Sequence, residues 1–365
     1  MDFRISDEQR LLRDTARKVL AEATGTSGDD AWMPFRELGW TALPIDEAHD
    51  GLGGSLVDLA FLLEELGRAR CQVPYLECCV LPAMLLKALA SRGVAHAELL
   101  GSLARGEQRL GVAVEERSSA ESVGAFSTRL AATPSGFRLI GEKLLVVGGA
   151  ACDGLLVVAV ADHETCLVYV PPDAAGVRIR GYSAVDGREL ADIEFVDVPV
   201  SESAVLARGT AVDEALVEAQ AIALTLQCAD IVGAMEASME MTAEYLQQRQ
   251  QFGQKLASFQ ALQHGMAVLF IACNEARSML FRALSALGQA DISLRRRAAS
   301  GCKVKVAACA RQVTGMAVQY HGALGMTTEY AVGHYLRRSI VAEQLFGNAH
   351  YHLAMCLADH AAVAK

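Results

Sequence analysis

An arginine set against an aromatic residue and a glycine is the first constellation in this chain that could do chemistry. Gln247-Gln-Arg249-Gln-Gln-Phe252-Gly253 reads as a helix end, with Arg249 in the last turn and Gly253 suited to the position just after it. A guanidinium held there could grip a diphosphate through two parallel hydrogen bonds. The same residues also fit an arginine complementing the helix dipole beside a core phenylalanine, and spacing alone does not choose. Gln319-Tyr-His-Gly322-Ala-Leu-Gly325 is a second break, whose glycines would let a ligand approach the backbone closely. An ordinary helix-to-helix turn is the alternative. No strand is expected before it, so it is not the phosphate-binding turn of a βαβ unit. The nine histidines form no H-x-x-x-H or H-E-x-x-H array, and His350 and His352 would face opposite sides of a helix. A metal site is therefore not expected. Neither a G-x-S-x-G elbow nor a P-loop is present.

The chain that must position these residues has 365 of them, enough for two or three core-forming units. Hydrophobic residues make up 52% and charged ones 21%, with only 8 prolines, so apolar burial can offset the entropy of ordering. The 33 basic and 43 acidic residues leave a net charge of −10, which repels phosphate backbones and anionic membrane surfaces. Nucleic acid and membrane are not expected partners. The ten cysteines show no C-x-x-C pairing and sit mostly in apolar stretches, as reduced core residues of a cytoplasmic protein do. The charged amphipathic N-terminus lacks the apolar region of a secretory signal, and no window of about twenty residues is expected to span a bilayer.

Ser6 and Gln9 form a plausible capping box ahead of Leu11, Leu12, Ala16, Val19 and Leu20 at helical spacing. A second helix is expected from Leu56 to Leu66, started by Ser55 and ended by Gly67, with more helix from Leu81 to Leu103. From Leu110 the texture changes to short β-rich runs: Phe137-Arg-Leu-Ile, Lys143 to Val147, Leu155 to Val160, Cys166 to Val170, Val177 to Arg180 and Asp192 to Val196. Turns are supplied by Pro134-Ser-Gly136, Gly148-Gly149 and Pro171-Pro-Asp173. After Val212 no proline occurs and Ala, Leu, Met, Gln and Glu dominate, which implies several long helices. The expected order is a helical domain over 1–109, a β domain over 110–208 and a helical bundle over 209–365.

The two breaks in this layout make the chain resemble the acyl-CoA dehydrogenase family, and the resemblance covers nearly its whole length. Leu38-Gly-Trp40, Gly51-Leu-Gly-Gly54 and Glu64-Glu-Leu-Gly-Arg68 look like the family's N-terminal helical domain. Gly141-Glu-Lys143 and the strand running to Pro199 look like its middle β-barrel or sandwich domain. Arg249 to Gly253 with Phe259-Gln260, and Gln319 to Gly325 with Glu329-Tyr330, look like its C-terminal four-helix bundle. The resemblance implies an FAD enzyme in which a carboxylate removes the α-proton of an acyl-CoA thioester while the flavin accepts the β-hydride. It also implies an FAD shared between subunits. The half-site for diphosphate and adenosine would map onto Arg249, Gln251, Phe252, Gly253, Leu256, Phe259, Gln319, Tyr320, Gly322 and Ala323.

The other half departs from the family pattern. Val114 to Ala125 lacks the Thr-Glu-Pro-x-x-Gly-Ser-Asp-like loop, and Leu145 and Val147 stand where a Trp-x-Thr/Ser triplet normally meets the flavin ring. Neither can offer it a hydroxyl. Of the family's two locations for the base, one holds Phe346, before Gly347, and the other Ala223, next to Leu224. Loss of a positioned base costs roughly 10²- to 10⁴-fold in rate. Glu218 and Glu343 are carboxylates near the two vacant positions; a solvated helix face accounts for each, while a different helix register would bring Glu218 to the base location. The pattern is similar to the α₂β₂ enzymes of actinobacterial steroid side-chain degradation, whose branch Tyr335-Leu-Arg-Arg338 and Gln344 to Ala349 also resemble. It implies a subunit that completes the FAD site of a homologous catalytic chain acting on a bulky acyl-CoA. The alternatives are an independently active homotetramer using an unusual base such as Glu218 and a flavin-free scaffold.

Overall fold

The structure, a computed structural model, describes residues 5–22, 29–117, 126–134 and 136–363, with the side chains of 358–363 excepted. It comprises two compact units: Met1–Gly25 with Leu56–Cys71 and Leu224–Lys365, and Thr26–Ser55 with Gln72–Ala223.

In the first unit, helix α1 (Asp7–Glu22) opens on a reciprocal capping box, Gln9 N–H donating to Ser6 Oγ and Ser6 N–H to Gln9 Oε1, both at 3.1 Å. Helix α2 (Asp29–Glu37) lies in the other unit. Helix α3 (Leu56–Ala69) packs on α1. It runs through Gly67, which the sequence suggested as its terminator. The glycine is there because a helix passes close by: a Cβ on Gly67 would lie 1.8 Å from the Asp230 carbonyl oxygen, and one on Gly233 would lie 1.9 Å from that of Glu64. Two glycines thus let α3 and the long helix α6 (Thr210–Gln248) approach backbone to backbone. Asp230 is also gripped by Arg338, whose Nε and Nη2 donate to its two oxygens at 2.8 and 2.7 Å while Nη1 donates to the Cys71 carbonyl at 2.9 Å. Helices α7 (Gln260–Leu287), α8 (Ile292–His321), α9 (Val332–Gln344) and α10 (Ala349–Val363) complete this unit, α8 packing against the other three. Contrary to the expectation of no membrane-length apolar window, α6 contains one, and 78% of it is buried inside the fold, as in a core helix.

The second unit joins α4 (Leu81–Ala90) and α5 (Ala97–Ala104) to strands β1 (Leu110–Ala113), β2 (Arg129–Thr133), β3 (Gly136–Val147), β4 (Gly154–Ala161), β5 (Glu164–Val170), β6 (Val177–Ser183), β7 (Glu189–Val200) and β8 (Val205–Arg208). They form one mixed sheet in the order β6-β7-β3-β2-β4-β5-β8, with β1 parallel to β4. The uninterrupted apolar run of β4 matches its central place, where neither face meets water. Edge strand β6 instead alternates between partly buried and exposed. Two runs that the sequence separates, Phe137–Ile140 and Lys143–Val147, are one strand with irregular pairing to β7 after Leu139 and after Lys143. Gly141 (φ 148°) sits at the first irregularity because a Cβ there would lie 2.7 Å from the Thr128 Cα. No disulfide joins the ten cysteines, eight of which are buried.

Candidate functional site

In the helical unit, α6 ends at Gln248 and Arg249 N–H still donates to the Tyr245 carbonyl at 2.9 Å. The chain then turns back on itself: Gln250–Gln251 (β9) pairs antiparallel with Gln254–Lys255 (β10). Phe252 (φ 55°) and Gly253 (φ 79°) make the tight two-residue connection, which needs a left-handed backbone at both positions. This corrects two expectations. Gly253 is the second residue of a hairpin turn, not the residue after a helix, and Arg249 lies just outside α6. Nor is Phe252 a core residue: it is 89% exposed and touches Phe259 edge-on at 6.2 Å. A phenylalanine held left-handed costs about 1 kcal/mol and exposes a large apolar ring, so the hairpin presents an aromatic group at a local cost. Arg249 and Gln251 are exposed with it, and Leu256 and Phe259 are half-buried behind.

The second break lies at the same end of the bundle. Helix α8 stops at His321, Gly322 takes φ 60° and ψ −137°, and a short 3₁₀ turn runs from Gly322 to Met326. A Cβ on Gly322 would meet nothing within 4 Å, whereas one on buried Gly325 would lie 2.6 Å from the Val318 carbonyl oxygen. The first glycine opens backbone to a visitor and the second lets the turn close. Gln319 and Ala323 are exposed; Tyr320 is half-buried, its hydroxyl so close to Gly265 of α7 that a Cβ there would lie 1.8 Å away. The breaks are tied together by His321, whose ring stacks on Tyr245 at 4.3 Å and 25°.

The two locations named for a base hold no carboxylate. Ala223 and Leu224 are buried on α6. Phe346 is half-buried, left-handed at φ 58°, in the connection from α9 to α10. That connection is fastened from beneath by two residues that sequence reasoning missed. Buried Lys303 of α8 donates to the Leu345 carbonyl at 2.9 Å, to the Ala342 carbonyl and to Gln227 Oε1. His352 donates from Nε2 to the Phe346 carbonyl at 2.8 Å, and its Nδ1 accepts from Ser300 Oγ at 3.0 Å. Burial brings the His352 pKa down to about 4, so it is neutral near pH 7. The available signal was a lysine at helical spacing with Cys302, Val306 and Cys309, which places it on the buried stripe of α8.

Neither nearby carboxylate stands idle. Glu218 accepts from Arg92 Nη2 at 3.1 Å, and Arg92 Nε donates to Glu214 at 3.0 Å, all within the β-bearing unit. Glu343 accepts from Arg311 at 2.6 Å.

In the sheet, Leu145 is left-handed (φ 56°) and 44% exposed, its N–H donating to Asp192 Oδ1 at 3.3 Å, while Val147 is buried. Of the Val114 to Ala125 loop, residues 118–125 lie outside the described residues. Before the gap, buried Glu116 accepts from Lys143 Nζ at 2.6 Å, from the N–H and Oγ of Ser127 at 2.5 and 2.6 Å, and from Thr128 N–H at 3.1 Å. The Phe126 ring covers Lys143 at 4.8 Å. Burial disfavours the Glu116 charge, but these donors outweigh it and hold its pKa down to about 2. The stability this contributes is complete above the unfolded carboxylate value and is lost as pH falls towards 2. We expect a steep acid-unfolding limb between about pH 4.5 and 2 that Glu116→Gln flattens. An equally steep limb in the variant would assign the acid sensitivity elsewhere.

Comparison with known proteins identifies the family. Residues 6–107 match the model of the acyl-CoA dehydrogenase N-terminal domain and residues 211–359 that of the acyl-CoA dehydrogenase C-terminal domain. Acyl-CoA dehydrogenase FadE28 of Mycobacterium tuberculosis is 28% identical over 300 residues, 80% of this chain and 80% of that protein. Among solved structures, the Tcur3481-Tcur3483 steroid acyl-CoA dehydrogenase superposes with a TM-score of 0.86 at 26% identity, covering 99% of both chains. The ChsE4-ChsE5 complex from Mycobacterium tuberculosis does so with a TM-score of 0.85 at 23% identity, again over 99% of both chains. With its helical, β-sheet and helical segments in the family's order, and both terminal family domains matched, the chain belongs to the acyl-CoA dehydrogenase family.

Proposed function

We propose that this chain is a base-less subunit of an FAD-dependent acyl-CoA dehydrogenase that lends the diphosphate and adenosine half-site to a homologous catalytic subunit in an α₂β₂ complex. Its substrate class is a bulky acyl-CoA such as a steroid side-chain acyl-CoA. One contrast carries the reading: the hairpin holds Arg249 and an 89% exposed Phe252 outward, while the base locations are occupied by Ala223 and Phe346. The residues fit FAD. Arg249 and Gln319 can bind a diphosphate, the open backbone at Gly322 admits its close approach, and the exposed Phe252 ring can pack on adenosine. When bound, the flavin supplies the hydride acceptor for α,β-dehydrogenation of the thioester. The removal of the α-proton falls to the partner, because Glu218 is already engaged with Arg92. Exposed Val268, Phe270 and Ile271 on α7 give the helical unit an apolar surface of the kind that a second subunit covers. Likeness to the Tcur3481-Tcur3483 steroid enzyme supports the substrate class.

Purification of the chain alone and with candidate homologous subunits tests this. Flavin absorbance only after co-expression, with turnover of the complex unchanged by Glu218→Gln, is the expected outcome. Yellow protein obtained alone, with turnover that collapses on Glu218→Gln, would establish the homotetramer instead. Absence of flavin in every combination would leave a scaffold.

A further inference from the structure

His321 ends the helix that carries Gln319 and packs on the end of the one before Arg249, and none of the preceding chemistry uses it. Its ring is 2% exposed, stacked on Tyr245 at 4.3 Å and tilted against Tyr330 at 5.0 Å. The Nδ1 atom lies 2.7 Å from the Ala317 carbonyl, which can only accept, so Nδ1 carries the proton and Nε2 is the bare nitrogen. Among the described residues that buried Nε2 has no hydrogen-bond partner. One turn beyond Tyr245 is Arg249, whose N–H bonds the Tyr245 carbonyl, and the residue after His321 is Gly322. The imidazole thus joins, through the Tyr245 stack and with Tyr330 packed against both rings, the helix end that precedes Arg249 to the residue before the open glycine turn.

We propose that His321 is a positioning residue of the cofactor half-site, whose neutral Nδ1–H imidazole clamps the end of α8 on the end of α6 and so sets Arg249 and Gly322 at the spacing a diphosphate requires. The inference rests on the reading of these residues as an FAD half-site and adds its control by pH. A second proton would go to Nε2, in a place with no acceptor for it. Burial lowers the pKa of this histidine, only partly countered by the bond to Ala317. The groups facing the ring are the phenols of Tyr245 from α6 and Tyr330 ahead of α9, with Glu244 of α6 acting on Tyr330. A histidine whose folded pKa lies below its unfolded value contributes stability above the unfolded value and loses it as pH falls. Grip on the flavin therefore weakens in acid.

The test uses the complex co-purified with its catalytic subunit, stripped of flavin and titrated with FAD by fluorescence between about pH 7.5 and 5. The expected result is an FAD Kd that rises by clearly more than about threefold as pH falls. In His321→Phe, which keeps the stacked ring and cannot titrate, the Kd should stay within about threefold across the range, with thermal unfolding near neutral pH as in the native protein. The same pH profile in both proteins, or a flat profile in the native one, overturns the inference. Arg249→Ala separates this from the larger reading: if it leaves the FAD Kd unchanged, the half-site assignment itself fails. A raised Kd in Arg249→Ala alongside identical profiles for native and His321→Phe complexes removes only the role of His321.

Discussion

Gly233→Ala should lower stability by about 3 kcal/mol or more, the upper end of what overpacking costs. The new methyl would lie 1.9 Å from the Glu64 carbonyl oxygen and 2.6 Å from its carbon, so backbone and not a flexible side chain must move. The neighbourhood leaves α3 little freedom to retreat. Glu64 is held by Arg277 through two bonds of 2.9 and 3.1 Å, and Arg277 is also bonded to Glu236 of α6. A shift of α3 would stretch these charged hydrogen bonds along with the contact at Gly67. Gly315→Ala is the matched control, since its Cβ would meet nothing within 4 Å inside α8. Helix propensity alone should make that variant more stable by up to about 1 kcal/mol. Thermal unfolding of the two side by side decides the matter, and equal melting temperatures would dismiss the close helix crossing as a stability determinant.

Arg249→Ala should weaken FAD binding by the co-purified complex by at least about 30-fold, the equivalent of about 2 kcal/mol for a hydrogen-bonded charge pair that loses one partner. Arg249→Lys should recover only part of the loss, because an ammonium group retains the charge and not the planar fork. The exposed setting of Arg249 on a hairpin leaves folding out of the question, so a lost flavin cannot be attributed to a lost fold. Arg311→Ala, which removes a salt-bridged surface arginine on α8, serves as the charge-matched control and should bind FAD as the native complex does. Full flavin occupancy in Arg249→Ala at sub-micromolar FAD would remove the arginine from the site.

How far the sequence could be read depends on the distance over which each feature is decided. The Ser6 and Gln9 cap, the apolar run of β4 and the helices after Val212 are settled by neighbours within a few positions, and the structure has each of them. Gly67 misled because a glycine that permits close packing and one that ends a helix look the same along the chain. Phe252 could not be placed for a related reason: apolar character argues for burial, and only the hairpin pairing of Gln251 with Gln254 turns the ring outward. Lys303 escaped notice because its acceptors, at Ala342 and Leu345, lie about 40 positions away.

The order of helices and strands and the family were determined by the sequence alone, since they depend on residue type, motif order and local period. What the tertiary structure decided was who meets whom: Arg92 with Glu218 across 126 positions, Arg338 with Asp230 across 108, and the His321 ring with Tyr245. Such pairings follow from packing of whole elements, in which a side chain's partner is chosen by the helix that happens to lie alongside, and no local rule encodes that choice.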